Sequence, residues 1–339
     1  MKDKKLKDIA DALGTSVVTV SNALAGKKGV SDEKRALIIK KAQELGIDLT
    51  KYNKNTDKSL ETDSNGNIIG VLVSDFYISK GTSFYWEMYQ KLTVTASRMK
   101  CLISIYIAKE KMGNPPVPAM IEENSIDGLI VLGRLRESYL SKVFDKCRCP
   151  IVLMDFMIPE SQISAVLSSN YIGMYKSTNE LIKAGHKNIG FVGTMGFSNN
   201  IGERLCGFQK CMTDNDLKVS SGWILSDRVG ETETAYISLP DELPTAFACS
   251  SDYAASILYD ALKHRGLKVP DDISVASYDN YLYGHDLSGK LTTYNVDMET
   301  MADRTVAQLI GEIYGTSGRG NIEYVDSKMI IRESIKRLN

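Results

Sequence analysis

Apolar residues recur at helical spacing at the start of the chain. Residues 6–13 predict a helix with one apolar face, formed by Leu6, Ile9, Ala10 and Leu13. Gly14 ends this helix with a turn, and Ser16 is placed to cap a second helix over residues 17–24. Ser31 is predicted to cap a third, longer helix that runs to Leu45. Two short helices joined by a glycine turn, with a third that closes the core, predict a helix-turn-helix domain.

The second of these helices has one face for the core and one for a partner. Val20, Ala23 and Leu24 are predicted to pack inward. The outward side chains are short, and they suit base edges and the thymine methyl group in a DNA major groove. They are Val17, Val18, Thr19, Ser21 and Asn22. Asn22 is the most specific candidate, because asparagine can bind adenine N6 and N7 together. The alternative is a small three-helix cap with an ordinary polar face.

Charge is distributed unevenly along the chain. Residues 1–60 hold 13 basic and 8 acidic side chains, whereas the whole chain has a net charge of −1. Lys27 and Lys28 lie in a loop between two glycines, and Ser16 and Ser21 are predicted to bind phosphates. A basic head on an acidic body favours docking of the head on nucleic acid.

A polar segment at residues 47–66, rich in Asn, Lys and Asp, predicts a linker. Beyond it, short apolar segments predict strands at Ile68–Ser74, Cys101–Ile107, Gly128–Leu132, Ile151–Met154, Asn188–Val192, Thr245–Cys249, Ile273–Ser277 and Tyr324–Ile331. Helices are predicted at Phe84–Met99, Ala119–Glu123, Ser138–Val143, Tyr175–Ala184, Glu203–Asn215, Asp252–Arg265 and from Asp297 to Gly315. This alternation predicts an α/β body of two lobes with parallel sheets and a ligand at the carboxyl ends of the strands.

Composition narrows the class of protein. The chain has 339 residues, 43% of them hydrophobic and 24% charged, as in ordinary soluble domains. It contains no run of 18 apolar residues and no signal-peptide pattern, so a cytoplasmic protein with no membrane partner is expected. Six cysteines without paired CxxC spacing and three separated histidines predict no metal site, and no cofactor is expected.

Several segments resemble the lac repressor (LacI/GalR) family of bacterial transcription regulators, and the similarity covers nearly the whole chain. It is carried by LKDIADALGTSVVTVSNALAGKKGVSDEKR, AGHKNIGFVG, GERLCGF and PTAFACSSDYAASILYDALKHRGLKVPDDISVASYDN. The resemblance implies a DNA-binding head at 1–47, a hinge at 48–66 and a periplasmic-binding-protein-like effector-binding body at 67–339. Lobe 1 is expected at about 67–166 and 297–323, and lobe 2 at about 167–296 and 324–339.

The resemblance also implies partners. They are a pseudo-palindromic operator in double-stranded DNA, a second copy of the chain that completes a homodimer, and a small effector, a sugar or related metabolite, between the lobes. Arg204 matches a position that grips ligand hydroxyls or a carboxylate. Asp155 and Asp279 match carboxylates that accept from sugar hydroxyls. The full implied set of effector-binding residues is Phe84, Tyr85, Asp155, Ser198, Asn200, Arg204, Ser251 and Asp279.

Plainer interpretations of these residues stay open. The alternatives are a surface helix position for Arg204 and a place in the core for Phe84 and Tyr85. Asp252 is expected to cap the following helix rather than to contact a ligand.

The hinge departs from the family. Its Arg-Pro-Asn motif is absent, and only Lys58-Ser59-Leu60 resembles the end of the motif. Leu60 is therefore the candidate for insertion into the DNA minor groove, or else a lone apolar residue in a linker. The predicted DNA-binding set is Lys5, Leu6, Ser16, Val17, Val18, Thr19, Ser21, Asn22, Lys27, Lys28, Ser31 and Leu60.

Three functions compete at this point. The first is a ligand-controlled repressor. The second is a sugar-binding receptor for uptake, which the missing signal peptide and the DNA-binding head oppose. The third is an enzyme in which Asp155 and Asp279 act as acid and base. It is disfavoured because Arg204 is expected to hold both carboxylates ionised.

Overall fold

The computed structural model describes residues 6–24, 34, 37–38, 41, 66–78, 83–109, 115–228, 235–282 and 285–338, apart from the side chains at positions 8, 21, 22 and 24. The chain divides into two compact units, one ending at Gly66 and one beginning at Asn67.

The first unit contains the two predicted short helices, α1 (Leu6–Ala12) and α2 (Val17–Leu24). Gly14 has a φ of +58°, which makes the turn between them. The side-chain oxygen of Ser16 accepts a hydrogen bond from the backbone N–H of Thr19 at 3.0 Å, which confirms the predicted N-cap. The core of this unit is formed by Ile9, Ala10, Val20, Ala23 and Ile38. The helical residues 34, 37, 38 and 41 fall within the third predicted helix, most of which lies outside the described residues.

Two six-stranded sheets form the centre of the second unit, as far as the structure describes it. The first has the order β11-β5-β4-β3-β1-β2, and all its described pairings are parallel. Its strands are β1 (Ile68–Ser74), β2 (Leu102–Ala108), β3 (Gly128–Leu132), β4 (Ile151–Met154), β5 (Ser164–Ser168) and β11 (Ile322–Val325). The second has the order β12-β10-β9-β8-β6-β7, with only β12 antiparallel to its neighbour. Its strands are β6 (Ile189–Val192), β7 (Ile224–Leu225), β8 (Ala246–Cys249), β9 (Ser274–Asp279), β10 (Thr292–Asn295) and β12 (Met329–Ile330).

Helices cover both sheets and bury their apolar faces against them. The helices of the second unit are α3 (Asp75–Ile78), α4 (Phe84–Arg98), α5 (Ala119–Glu122), α6 (Glu137–Lys146), α7 (Asn170–Lys183), α8 (Asn199–Asp214), α9 (Asp252–His264) and α10 (Met298–Ile313). Helices α4 and α10 pack together on the first sheet, and α7 packs between the second sheet and α8. No helix among the described residues is long and apolar enough to cross a membrane.

The strand predicted at Tyr324–Ile331 is wrong as a single element. The structure divides it into β11, which pairs with β5 in the first sheet, and β12, which pairs with β10 in the second. The break falls at Asp326, whose carboxylate accepts hydrogen bonds from Lys176 Nζ and the Tyr294 hydroxyl, each at 2.8 Å. These polar partners hold the chain where it passes from one sheet to the other.

Three strands (β5, β7 and β10), the short helix α3 and two helix starts were not predicted. Strands β5 and β10 are short and carry Ser or Thr at several positions, which weakens the apolar signal. Helices α7 and α8 begin earlier than predicted, at Asn170 and Asn199. These early turns matter for function because they face the gap between the two sheets.

Candidate functional site

Polar side chains gather between the two sheets, at the carboxyl ends of the strands. Asp155 follows β4 directly and Arg134 lies just after β3, both in the first lobe. Asp279 ends β9, and Arg204 lies on α8, both in the second lobe. Parallel strands direct their carboxyl ends to the same edge of a sheet, and ligands of α/β folds bind at such an edge.

Asp155 has an unusual environment for a carboxylate. It is 3% exposed, and its backbone φ is +66°. Oδ2 accepts a hydrogen bond from the Tyr85 hydroxyl at 2.8 Å. Oδ1 is buried and has no hydrogen-bond partner among the described residues. Burial raises the pKa of Asp155 to about 6, although Arg204 and the Tyr85 hydrogen bond act in the opposite direction.

Arg204 is buried, at 6% exposure, so the interpretation as a surface residue is wrong. Nε donates to Asn170 Oδ1 at 2.8 Å, and Nη1 donates to the backbone oxygen of Ser250 at 2.7 Å. Its guanidinium lies 3.7 Å from the ring centroid of Tyr278. These contacts hold the arginine within the second lobe.

Arg204 also pairs with Asp279 at 3.5 Å between Nη1 and Oδ1. Burial raises the pKa of Asp279 well above its ordinary value, and Arg204 opposes this shift. Arg204 favours the ionised form of both Asp155 and Asp279, which is the direction expected from the sequence. For each carboxyl group, desolvation outweighs the attraction of the guanidinium.

The close packing of α7 on α8 sets the position of Arg204. A Cβ at Gly207 would lie 2.1 Å from the backbone oxygen of Tyr171, so only glycine lets the two helices approach this closely. Gly173, on α7, gives similar room to Tyr278. Gly207, in the GERLCGF segment, thus allows Arg204, which lies one helical turn earlier, to sit beside the Tyr278 ring.

Direct contacts connect the two lobes across the cleft. Asn200 Nδ2 donates to the backbone oxygen of Asp155 at 2.8 Å, and Arg134 Nη1 donates to the backbone oxygen of Phe197 at 2.8 Å. The rings of Phe84 and Tyr281 meet edge to face with 5.9 Å between centroids. Hydrogen bonds and an aromatic contact therefore hold the two lobes together.

A small cavity of about 50 Å³, which opens to solvent, lies between these contacts. Of the effector-binding residues expected from the sequence, it is lined by Tyr85, Asp155, Ser198 and Asn200. Arg204 and Asp279 are not among its lining residues. Its wall combines aromatic rings with polar groups, as sites for small molecules commonly do.

The two predicted serines cap helices. Ser198 Oγ accepts from the backbone N–H of Ile201 at 3.4 Å, and Ser251 Oγ accepts from that of Ala254 at 3.0 Å. Phe84 packs partly against the core and against Tyr281, which agrees with its interpretation as a core aromatic, and it is not among the residues that line the cavity.

The expectation that Asp252 caps α9 is wrong, because Ser251 is the cap. Asp252 is buried, and its carboxylate accepts from Thr293 Oγ1 at 2.7 Å, from the backbone N–H of Tyr281 at 2.8 Å and from Ser277 Oγ. Burial raises its pKa to about 6. Asp252 therefore connects β9, β10 and the loop that carries Tyr281.

Sequence reasoning missed several residues around the cleft. They are Tyr77 and Arg134 in the first lobe, and Asn170 and Tyr278 in the second. Arg134 could have been found, because it follows a strand that was predicted correctly. Asn170 follows β5, a strand that was not predicted.

The head exposes part of its predicted DNA-binding surface. Val17 and Val18 are 42% and 68% exposed, and Ser16 is exposed, whereas Thr19 is half-buried with its hydroxyl 2.9 Å from that of Ser16. Leu6 is half-buried against the core of the head. The predicted contacts that lie outside the described residues are Lys5, Lys27, Lys28, Ser31, Leu60 and the side chains of Ser21 and Asn22.

Comparison with known proteins identifies both units. Residues 5–47 match the model of the bacterial regulatory proteins of the lacI family, and residues 178–335 match the periplasmic binding protein-like domain. The chain therefore contains a DNA-binding domain of the lacI family and a periplasmic binding protein-like domain. This regulator is 26% identical over 344 residues to the HTH-type transcriptional repressor PurR of Pasteurella multocida (strain Pm70), which covers 98% of each chain.

Solved structures agree on the fold of this regulator. The complex of the transcriptional regulator CelR with cellobiose superposes with a TM-score of 0.65 at 19% identity, covering 98% of this chain and 99% of that one. The lac repressor dimer bound to operator and the anti-inducer ONPF gives a TM-score of 0.61 at 20% identity, covering 99% and 100%. The chain thus has a helix-turn-helix DNA-binding domain of the lacI family and a two-lobed body, and its curated relatives are transcriptional repressors rather than enzymes.

Proposed function

We propose that the effector of this repressor is a sugar or a related hydroxyl-rich metabolite, bound in the cleft between the lobes. The unpartnered Oδ1 of Asp155 carries this proposal. A buried acceptor without a donor is costly, and a hydroxyl of a ligand would satisfy it. The rings of Tyr77 and Tyr85, 4.1 Å apart between centroids, offer an apolar wall to the face of a pyranose or furanose ring.

The remaining expected residues have different roles in this proposal. Asn200 contacts both the cavity and the backbone of Asp155, so it would respond to closure of the lobes. Arg204 and Asp279 set the electrostatic potential behind the cavity, while Ser198 and Ser251 order the helices that border it. The relative CelR, whose structure contains cellobiose, shows the same two-lobed fold with a sugar. Effector binding would change how far the two lobes close on each other, and this change would alter the affinity of the protein for DNA.

This proposal is tested by measuring operator affinity in the presence of small molecules. Fluorescence anisotropy of a labelled duplex, enriched by the protein from a random pool, would be recorded with monosaccharides, disaccharides, sugar phosphates and nucleosides. At least one sugar should change the affinity of the wild type by about fivefold or more. The Asp155→Asn variant should lose this response, and the Asp145→Asn variant, altered at an exposed position on α6, should keep it. An equal response in wild type and Asp155→Asn would show that the effector does not bind at Asp155.

We further propose that two copies of this chain bind a pseudo-palindromic operator in the cytoplasm, where the bacterial chromosome is accessible. Paired recognition helices require two half-sites related by two-fold symmetry. Asn22 would read adenine in each half-site, and Leu60 would enter the minor groove between them. The division proposed for the chain is a head at 1–47, a hinge at 48–66 and a body at 67–339.

The edge of the first sheet supplies a surface for the second copy. Strand β2 is an edge strand of almost wholly apolar sequence, with Leu102 62% exposed and Ile107 42% exposed. Val94, on the neighbouring helix α4, is 66% exposed. An apolar edge strand left open is prone to uncontrolled pairing, and a symmetric partner would cover it.

A further inference from the structure

Two cysteines lie close together at the amino ends of the strands of the first sheet. The cleft lies at the opposite, carboxyl ends of these strands. Cys147 follows the end of α6, and Cys149 comes two residues later, just before Pro150 and β4. Their sulfur atoms lie 3.4 Å apart. A disulfide needs about 2.05 Å between the sulfurs, so a small movement of the intervening Arg148 loop would suffice.

The position of the pair separates it from the effector cleft. The backbone oxygen of Pro150 accepts from the N–H of Leu129 at 2.9 Å, which places the cysteines at the amino ends of β3 and β4. Asp155, the central residue of the cleft, follows the carboxyl end of β4. Both cysteines are half-buried, so a small reagent can reach them, whereas Cys249 is fully buried.

The two sulfurs are chemically unequal. The hydrogen bond between them lowers the pKa of Cys147 to about 7, while that bond, burial and the nearby carboxylate of Asp127 raise the pKa of Cys149. The contact between the sulfurs allows either atom to donate, and the lowered pKa of Cys147 makes it the first of the two to lose its proton. This pairing supplies one nucleophile and one resolving group.

We propose that Cys147 and Cys149 form a reversible dithiol–disulfide site that reacts with hydroperoxides. The Cys147 thiolate attacks one peroxide oxygen, the O–O bond breaks, and the departing oxygen takes up a proton as water or an alcohol. Cys147 is then a sulfenic acid. The Cys149 sulfur attacks the sulfur of this acid, and the expelled hydroxide leaves as water with the Cys149 proton. The two thiols lose two electrons, which the peroxide accepts.

The sequence spacing favours reversal of this reaction. A disulfide between residues two apart closes a small ring that departs from relaxed geometry, and strained disulfides are readily reduced by thiols. Reduced glutathione would therefore return the pair to two thiols.

The test uses the full-length protein treated with hydrogen peroxide, alkylated and analysed by peptide mass spectrometry. The peptide with both cysteines should carry no alkyl group and be about 2 Da, the mass of two hydrogens, lighter than its unalkylated dithiol form, and it should carry two alkyl groups when reduced glutathione is added before alkylation. The Cys206→Ser variant, changed at an exposed cysteine, should form the disulfide as the wild type does. If the peptide keeps two alkylatable thiols while Cys206 is oxidised, the proposal is wrong.

Two further variants separate the roles of the sulfurs. In Cys149→Ser the serine hydroxyl can still donate to Cys147, so dimedone should trap a sulfenic acid there, which the wild type resolves before trapping. In Cys147→Ser the oxidation of Cys149 should be about tenfold slower or more. Equal dimedone labelling of Cys147 in wild type and Cys149→Ser would contradict the resolving role. Circular dichroism establishes that each variant is folded.

Discussion

The hydroxyl of Tyr85 donates to Oδ2 of Asp155 at 2.8 Å, while Oδ1 of the same buried carboxylate accepts from no described residue. An ionised carboxylate can accept about four hydrogen bonds, so one donor leaves most of its capacity unused. The protein therefore retains an energetically costly group at the centre of the cleft. Such a group is expected where a ligand, rather than the fold, supplies the missing donors.

The raised pKa of Asp155 predicts a pH-dependent stability. Its pKa is about 6 in the folded protein against an ordinary value of 3.8, so the folded state binds the proton more tightly. The contribution of Asp155 to the free energy of unfolding should thus fall as the pH rises from about 4 to about 6 and then level off. In Asp155→Asn this fall is absent, and at pH 7 the variant should gain up to about 3 kcal/mol over the wild type.

Urea unfolding at a series of pH values measures this effect. Asp252 and Asp279 also have raised pKa values, so the informative quantity is the difference between wild type and Asp155→Asn. Asp145→Asn, at an exposed position, provides the control. A difference that does not change between pH 4 and pH 7 would show that Asp155 is not strained in the folded protein.

Even the conservative replacement of Arg204 by lysine should lower the stability of the protein. Arg204→Lys removes the Nε bond to Asn170 and the planar stacking on Tyr278, and leaves buried acceptors unpaired. The expected loss in the free energy of unfolding is about 2–4 kcal/mol. Arg98→Lys is a matched control, because Arg98 pairs with Asp303 at an exposed position. It should change stability by less than about 0.5 kcal/mol. Equal effects in the two variants would mean that the buried contacts of Arg204 add nothing to the free energy of unfolding.

The cap at Ser16 should stabilise the recognition helix. Ser16→Ala removes the acceptor for the Thr19 N–H, with an expected cost of about 1 kcal/mol in local stability. Hydrogen exchange of the α2 amides in the full-length protein measures it. Protection should decrease by about fivefold in Ser16→Ala and return in Ser16→Asp, since aspartate also caps helices. Unchanged protection in Ser16→Ala would indicate that packing alone holds α2.

The sequence predicted elements whose signals are local. The head helices were found because their apolar spacing, the Gly14 turn and the Ser16 cap agree with one another. The cleft aspartates were found through a family resemblance, since a carboxylate after a strand has no distinctive pattern by itself.

The features that were missed depend on tertiary contacts. The exchange of the chain between sheets at Asp326 requires Lys176 and Tyr294, which are distant in sequence. The raised pKa values of Asp155 and Asp279 depend on burial that charge counting could not reveal. Packing likewise decided the position of Arg204, because its stacking partner Tyr278 lies on another element.

The exposed edge strand β2 predicts the site of self-association. Leu102→Asp places a charge on this edge and should lower the dimer fraction about tenfold or more, because a charge in an apolar interface is poorly solvated. Ile331→Asp is a control of similar exposure, 60% against 62%, just after β12 of the other sheet. Sedimentation velocity distinguishes the two. Dimerisation that is equal in Leu102→Asp and the wild type would place the interface elsewhere.

Sequence-specific operator binding is tested most directly by selection from random duplex DNA at fixed moderate salt. The wild type should enrich a sequence with two half-sites related by two-fold symmetry, with adenine at the position that Asn22 contacts. Asn22→Arg should enrich the same arrangement with guanine at that position. If the wild type enriches no sequence, or one without two-fold symmetry, the operator assignment is contradicted. If the preferred base is unchanged in Asn22→Arg, Asn22 does not read it.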